Sequence, residues 1–162
     1  MKSETKQKIK IYIIAILIPL AVGGLSALLT MENMDIYKEL NTPPLSPPAI
    51  LFPIAWTILY ILMGISSAIV WIGRRNDQSA ADDGISLYSV SLVFNFLWSI
   101  FFFNLRWFLF SFIWLFALLI LIIMTIRAYK KVDPVAAYLQ IPYSLWVTFA
   151  GYLNLSIWIL NK

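Results

Sequence analysis

The sequence contains no cysteine and no histidine, and only 12% of its 162 residues are charged. A disulfide framework, a cysteine–histidine zinc site and a catalytic triad with a histidine base are therefore excluded. Soluble domains carry about 25% charged and 45–50% apolar residues. This chain has about half that charged fraction, and 61% of its residues are apolar. Because a soluble enzyme or a nucleic-acid-binding module needs more polar surface, the composition indicates a membrane protein. We expect no nucleic-acid partner and no metal site.

Five stretches without Asp, Glu, Lys or Arg are long enough for the ~20 residues that a helix needs to cross a bilayer. They are residues 11–31, 40–73, 84–105, 107–126 and 134–161. The stretches are unbroken rather than alternating, which favours helices over the strands of a barrel. The sequence therefore predicts an all-α membrane protein, a bundle of five transmembrane helices in a single domain spanning residues 1–162. The predicted helices are roughly 9–31, 48–73, 85–105, 107–129 and 134–160.

The second stretch is too long for one helix, and it contains the prolines Pro43, Pro44, Pro47 and Pro48. Paired prolines cannot continue a helix and favour extended backbone. We therefore predict a loop at 32–47. The second helix then begins at Pro48, because proline is tolerated in a first helical turn.

Lysine and arginine are divided unequally between the two ends of the predicted bundle. Nine of the twelve fall at one end, and Lys38, Arg106 and Lys162 fall at the other. The positive-inside rule then places the N-terminus in the cytoplasm and the C-terminus and the 32–47 loop outside. The polar segment 74–84 is predicted as a cytoplasmic connector. We expect a protein of a bacterial cytoplasmic membrane, with membrane lipids as partners.

The predicted spans contain no charged side chain, which argues against an ion pump or a proton-coupled transporter. They contain instead aromatic and amide side chains at helical spacing and at a common depth. The second helix carries Pro53, Trp56, Tyr60, Gly64 and Ser67, the third Tyr88, Asn95, Ser99 and Phe102, and the fifth Tyr143, Trp146, Ala150, Asn154 and Ile157. Because a polar group in hydrocarbon turns inward, these stripes should face one another. Two interpretations stay open: interhelical packing and hydrogen bonding, or a pocket for a flat apolar ligand.

The first helix carries a different pattern, the pair of small residues in Gly23-x-x-x-Ala27. Such a pair lets two helices approach closely. It is consistent with a homodimer formed through the first helix and equally with packing inside one chain.

Three segments resemble the translocator protein family, whose bacterial members are called tryptophan-rich sensory proteins. They are PP at 47–48 followed by WTILY at 56–60, NFLWS at 95–99, and PYSLWVTFAGYLN at 142–154. The resemblance covers essentially the whole chain. It implies a five-helix bundle with a pocket between helices two, three and five, beneath the first outside loop. It also implies binding of porphyrins, cholesterol-like lipids and related apolar ligands, without an obligatory cofactor.

The resemblance also assigns residues. The ligand-binding positions that it implies are Trp56, Tyr60, Asn95, Phe102, Trp146, Ala150 and Asn154, and Pro47 and Pro48 match the loop that closes the pocket. We add Trp98 and Tyr143 to the predicted ligand-binding residues, and Tyr37 and Leu45 to the predicted loop residues. The implied role is regulatory or sensory. The alternatives are light-dependent porphyrin degradation using Trp56 and Trp146, and lipid or sterol transport. The chain departs from the family pattern at Leu45 and Ile36, where aromatic residues are usual, so its loop has less aromatic surface.

Overall fold

The computed structural model describes residues 2–162, without the side chains of residues 2, 3, 37 and 38. The described part contains helices and no strand, and five helical spans are long and apolar enough to cross a membrane. The predicted fold class is therefore confirmed. The side chain of Tyr37, predicted to belong to the pocket loop, lies outside the described residues.

Seven α-helices make up the five spans and one of their connections. They are α1 Lys2–Thr30, α2 Ile36–Glu39, α3 Leu51–Gly73, α4 Gln78–Ser99, α5 Phe108–Val132, α6 Pro134–Leu139 and α7 Ile141–Leu160. A 3₁₀ turn, Met31–Asn33, follows α1, and a π turn, Ile100–Asn104, extends α4. Helices α6 and α7 form one span that is interrupted at Gln140, two residues before Pro142.

The connector predicted at 74–84 is shorter than expected. Helix α4 already begins at Gln78, because the Asp77 carboxylate accepts a hydrogen bond from the Ala80 amide at 3.0 Å and caps the helix. The entry to α3 also differs from the prediction. Pro48 lies in a turn, with its carbonyl accepting from the Leu51 amide at 2.9 Å, and the helix proper starts at Leu51.

Helix α1 packs along α3, and α4 packs along α5, which in turn contacts α7. The α1–α3 contact depends on Gly64: a Cβ atom there would lie 2.5 Å from the Ile16 Cα atom. Only glycine allows the two backbones to approach this closely. Many apolar side chains of α1 are exposed, including Ile13, Leu17 and Leu28, as expected for a helix that faces lipid.

We call the end of the bundle that holds segment 31–50 the loop end. Hydrogen bonds tie this segment to the π turn after α4 and to α7, and the π turn is bonded in turn to the end of α1. Asn104 donates to the Leu29 carbonyl and accepts from Asn33, each at 3.0 Å. The Tyr152 hydroxyl donates to the Pro44 carbonyl at 2.9 Å. The segment is therefore held over the ends of α1, α4 and α7.

A tight turn forms the tip of this segment. The Ser46 amide donates to the Pro43 carbonyl at 3.3 Å, and Leu45 between them has a φ of 70°. A proline followed by a residue with positive φ is typical of a type II turn, in which glycine normally occupies the third of the four positions. Leu45 is thus strained, and its side chain is 82% exposed.

Candidate functional site: an aromatic cavity at the loop end

A cavity of about 650 Å³ lies among α1, α3, α4 and α7, beneath the loop segment. Its aromatic lining consists of Phe52, Trp56, Tyr60, Trp98, Phe102 and Phe103. Leu153, Ile157, Ala150 and Asn154 close it on the side of α7. No charged side chain lines the cavity in the part of the chain that the structure describes, so an uncharged and largely apolar guest fits it.

The aromatic lining is a connected set of rings. Trp56 stacks on Tyr60 with ring centroids 5.4 Å apart and an interplanar angle of 27°. Trp98 lies 6.5 Å from Trp56 and 5.6 Å from Phe102. Each contact supports the orientation of the next ring, so the wall is preorganised as a hydrophobic face.

Two buried amides hold this wall in place. The Asn95 amide donates to the Tyr60 hydroxyl at 2.9 Å. The Trp98 indole donates to the side-chain oxygen Oδ1 of Asn154 at 3.2 Å, and the side-chain Nδ2 of Asn154 donates to the backbone carbonyl of Phe108 at 2.7 Å. Of the two interpretations of the polar and aromatic stripes, interhelical hydrogen bonding therefore applies to the amide side chains. The aromatic rings, in contrast, surround open space.

Six of the nine predicted ligand-binding residues line the cavity: Trp56, Tyr60, Trp98, Phe102, Ala150 and Asn154. Two others lie just behind the lining. Asn95 is 2% exposed and is bonded to Tyr60, and Tyr143 is 1% exposed and packs edge-on against Trp56 at 6.2 Å.

Trp146 lies outside the cavity lining. It faces a shallow groove between α3 and α7, formed with Ile58, Leu62, Leu145 and Phe149, and packs edge-on against Phe52 at 6.1 Å. The helical period explains this position. The buried face of α7 runs through Tyr143, Val147, Ala150 and Asn154, so Val147, and not Trp146, follows Tyr143 on the inner face.

Helix α1, on which no ligand-binding residue was predicted, forms a full wall of the cavity. Its lining residues are Leu20, Gly23, Gly24, Ser26, Ala27 and Thr30. A Cβ atom at Gly23 would collide with the Tyr60 ring, whereas one at Gly24 would meet nothing within 4 Å. The small-residue pattern at Gly23 and Ala27 therefore lines a cavity within one chain. The sequence shows this pattern, but the pattern alone fits a contact between two chains equally well.

The cavity is a cleft rather than a closed chamber. On α1, Gly24 and Ala27 are exposed lining residues, and on α3 so are Pro53 and Thr57. The two helices are in contact at Gly64 and leave this space nearer the loop end. An opening between neighbouring spans is directed towards lipid.

Segment 31–50 contributes to the cavity lining, but through residues other than the predicted ones. Leu45, Pro47 and Pro48 do not line the cavity, whereas Met34, Ala49 and Ile50 do. Leu45 forms the exposed tip of the turn, so its side chain is directed away from the cavity. Among the described residues, no group of three or more His, Cys, Asp or Glu side chains could hold a metal ion.

Five membrane-spanning helices around an uncharged aromatic cavity define an integral membrane protein with an internal apolar site. The family model of the TspO/MBR family matches residues 15–159, and the chain belongs to this family.

Named relatives support the assignment. Tryptophan-rich protein TspO of Chlorobaculum tepidum is 36% identical over 143 residues, which are 88% of this chain and 90% of the relative. Translocator protein of Ovis aries is 32% identical over 131 residues, which are 81% of this chain and 78% of the relative. Tryptophan-rich sensory protein of Cereibacter sphaeroides is 30% identical over 125 residues, 77% of this chain and 76% of the relative.

Proposed function

We propose that the protein binds porphyrins and related flat apolar molecules in the loop-end cavity and serves a regulatory or sensory role. The observation that carries this proposal is the cavity of about 650 Å³, which is lined by six aromatic side chains and, among the residues that the structure describes, by no charged one. Aromatic faces stack on flat conjugated guests, and burial of apolar surface contributes roughly 25 cal/mol per Å².

The polar groups of the lining determine how a guest is oriented. Tyr60 accepts a hydrogen bond from Asn95, so its own proton is available to a polar atom of the guest. A porphyrin also carries carboxylates, and an unpaired carboxylate is costly to bury. Since the lining offers no cation, the carboxylates would point to the loop end, where Arg106 is exposed and the Lys162 ammonium lies 5.0 Å from the Trp158 ring centroid.

Titration with protoporphyrin, followed by quenching of tryptophan fluorescence, tests the proposal. Trp56→Phe and Trp98→Phe should each remove a substantial part of the quenching. Trp71→Phe, on the same helix α3 but outside the cavity lining and 46% exposed, is the matched control and should leave the affinity unchanged.

A cavity-filling variant gives a sharper test. Gly24→Phe places a ring in open space, so we expect normal folding and an affinity lowered at least about tenfold, which corresponds to about 1.4 kcal/mol. Trp146→Phe separates the two candidate locations. If it abolishes quenching while Gly24→Phe has no effect, the guest binds in the α3–α7 groove and the proposed site is wrong.

Lipid or sterol transport is a second candidate, favoured by the opening between α1 and α3. Exchange of a fluorescent sterol between vesicles containing the protein and empty acceptor vesicles would test it. Transport predicts faster exchange that Gly24→Phe slows, and equal exchange with protein-free vesicles would argue against it. Light-dependent degradation lacks comparable support. Two tryptophans, Trp56 and Trp146, were assigned to it, and only Trp56 lines the cavity.

A further inference from the structure

Three tyrosine hydroxyls lie inside the bundle without a hydrogen-bonded protein partner. They belong to Tyr88 on α4, Tyr129 on α5 and Tyr143 on α7, and in the described part of the chain no other buried side-chain nitrogen or oxygen lacks a partner. These residues are 5%, 0% and 1% exposed. A buried hydroxyl left unpaired costs about 1–3 kcal/mol. Three in one bundle indicate that something other than the protein completes their hydrogen bonds.

The three hydroxyls belong to one group that reaches the cavity floor. The Tyr143 hydroxyl lies within electrostatic range of Tyr60 and Tyr88, and the rings of Tyr88 and Tyr129 are 6.4 Å apart. Tyr60 and Tyr143 both contact Trp56, a lining residue of the cavity. We call Tyr60, Tyr88, Tyr129 and Tyr143 the tyrosine cluster. It runs from the cavity floor towards the end of the bundle opposite the loop end.

The serine hydroxyls beside the cluster can accept hydrogen bonds, but each already donates its own proton to a backbone carbonyl. Ser67 lies beside Tyr88, and its hydroxyl donates to the Gly64 carbonyl at 3.0 Å. Ser91 donates to the Tyr88 carbonyl at 2.7 Å. The site therefore needs a small neutral molecule that can both accept from the tyrosine hydroxyls and donate to their oxygen atoms.

We propose that the tyrosine cluster binds a short file of ordered water molecules beneath the cavity. Water has two donors and two acceptors, and buried water typically makes about three hydrogen bonds to groups that would otherwise be unpaired. An ion is disfavoured, because no charged side chain belongs to the cluster. The file ends at Tyr60, so a polar atom of a guest on the cavity floor exchanges hydrogen bonds with water held inside the protein.

Solid-state NMR of the protein in lipid bilayers tests the proposal directly. Magnetisation transferred from water should reach the ring ζ carbons of Tyr88, Tyr129 and Tyr143, as it does for Tyr138, which is 61% exposed. It should not reach Leu118, which is fully buried. Single Tyr→Phe variants assign the signals. If the buried tyrosines receive as little transfer as Leu118, the proposal is overturned.

Thermal unfolding in detergent gives a second measurement. Replacing a water-bonded hydroxyl with hydrogen removes favourable bonds, so Tyr88→Phe and Tyr143→Phe should each lower the midpoint by roughly 2–4 °C, while Tyr138→Phe leaves it unchanged. An unchanged or higher midpoint contradicts the proposal, because phenylalanine then removes only an unpaired group. A lowered midpoint without water transfer shows that the hydroxyls bond directly to one another, and this also overturns it.

Discussion

The hydrogen bond between Trp98 and Asn154 links α4 to α7 across the cavity, and its removal should destabilise the bundle by a measurable amount. In Asn154→Leu, the Trp98 indole N–H loses its acceptor in a position where Trp98 is only 9% exposed. An orphaned buried donor costs roughly 1–3 kcal/mol. The Phe108 carbonyl loses only its second partner, because the helix supplies it with another.

For a chain of this length, 1 kcal/mol shifts the melting temperature by about 2–4 °C. We therefore expect Asn154→Leu to lower the melting temperature by roughly 2–12 °C, measured by circular dichroism in a fixed detergent. Thr148→Val is the matched control on α7. Its hydroxyl is exposed and donates only to the Ser144 carbonyl within the helix, so the midpoint should be nearly unchanged.

A double-mutant cycle with Trp98→Phe decides whether the bond itself is responsible. Each single variant leaves one partner unpaired, whereas the double variant Trp98→Phe/Asn154→Leu removes both. The second substitution should therefore cost less than it does alone. Coupling energies of hydrogen bonds inside membrane proteins average about 0.6 kcal/mol and reach about 1.7 kcal/mol. Fully additive costs would refute the reasoning.

Two further predictions concern packing and orientation. Gly64→Ala forces a Cβ atom against the Ile16 backbone and should lower the melting temperature by several degrees, whereas Gly24→Ala should not. Equal effects would show that α1 does not pack on α3 at Gly64. The excess of basic residues away from the loop end predicts that Thr42→Cys reacts with a membrane-impermeant maleimide on intact bacterial cells. Ser79→Cys should react only after lysis, and the reverse pattern would disprove the proposed orientation with the N-terminus in the cytoplasm.

The five spans could be predicted because each is a long uncharged run, and the lipid environment leaves few alternatives for such a run. The positions of Trp56 and Tyr60 on α3 and of Phe102 on α4 could be predicted too, since a cavity wall in a bundle must follow the helical period. Trp146 shows the limit of this argument. A spacing of three or four residues after Tyr143 fits the same stripe, and only the packing of α7 selects Val147.

The wall formed by α1 could not be derived from the pattern of polar residues. Gly23, Gly24 and Ala27 offer neither aromatic surface nor hydrogen bonds, so nothing in their composition distinguishes a cavity lining from a lipid-facing surface. What places them at the cavity is the close approach of α1 and α3 at Gly64, a long-range contact. The early start of α4 has a local cause, because the Asp77 side chain caps the helix within a segment that is otherwise polar enough for a loop.

The π turn Ile100–Asn104 separates the orientation of the residues that follow Ser99 from the register of the residues that precede it. A π turn holds an extra residue relative to an α-helical turn, so everything after Ser99 is rotated about the axis compared with a regular continuation. This rotation brings Asn104 under the end of α1, where it bonds to Leu29, without altering the register of Asn95 and Trp98. Loss of one residue in this turn would swing the Asn104 amide off α1 and displace Phe102 and Phe103 in the cavity wall, while Asn95 and Trp98 keep their register.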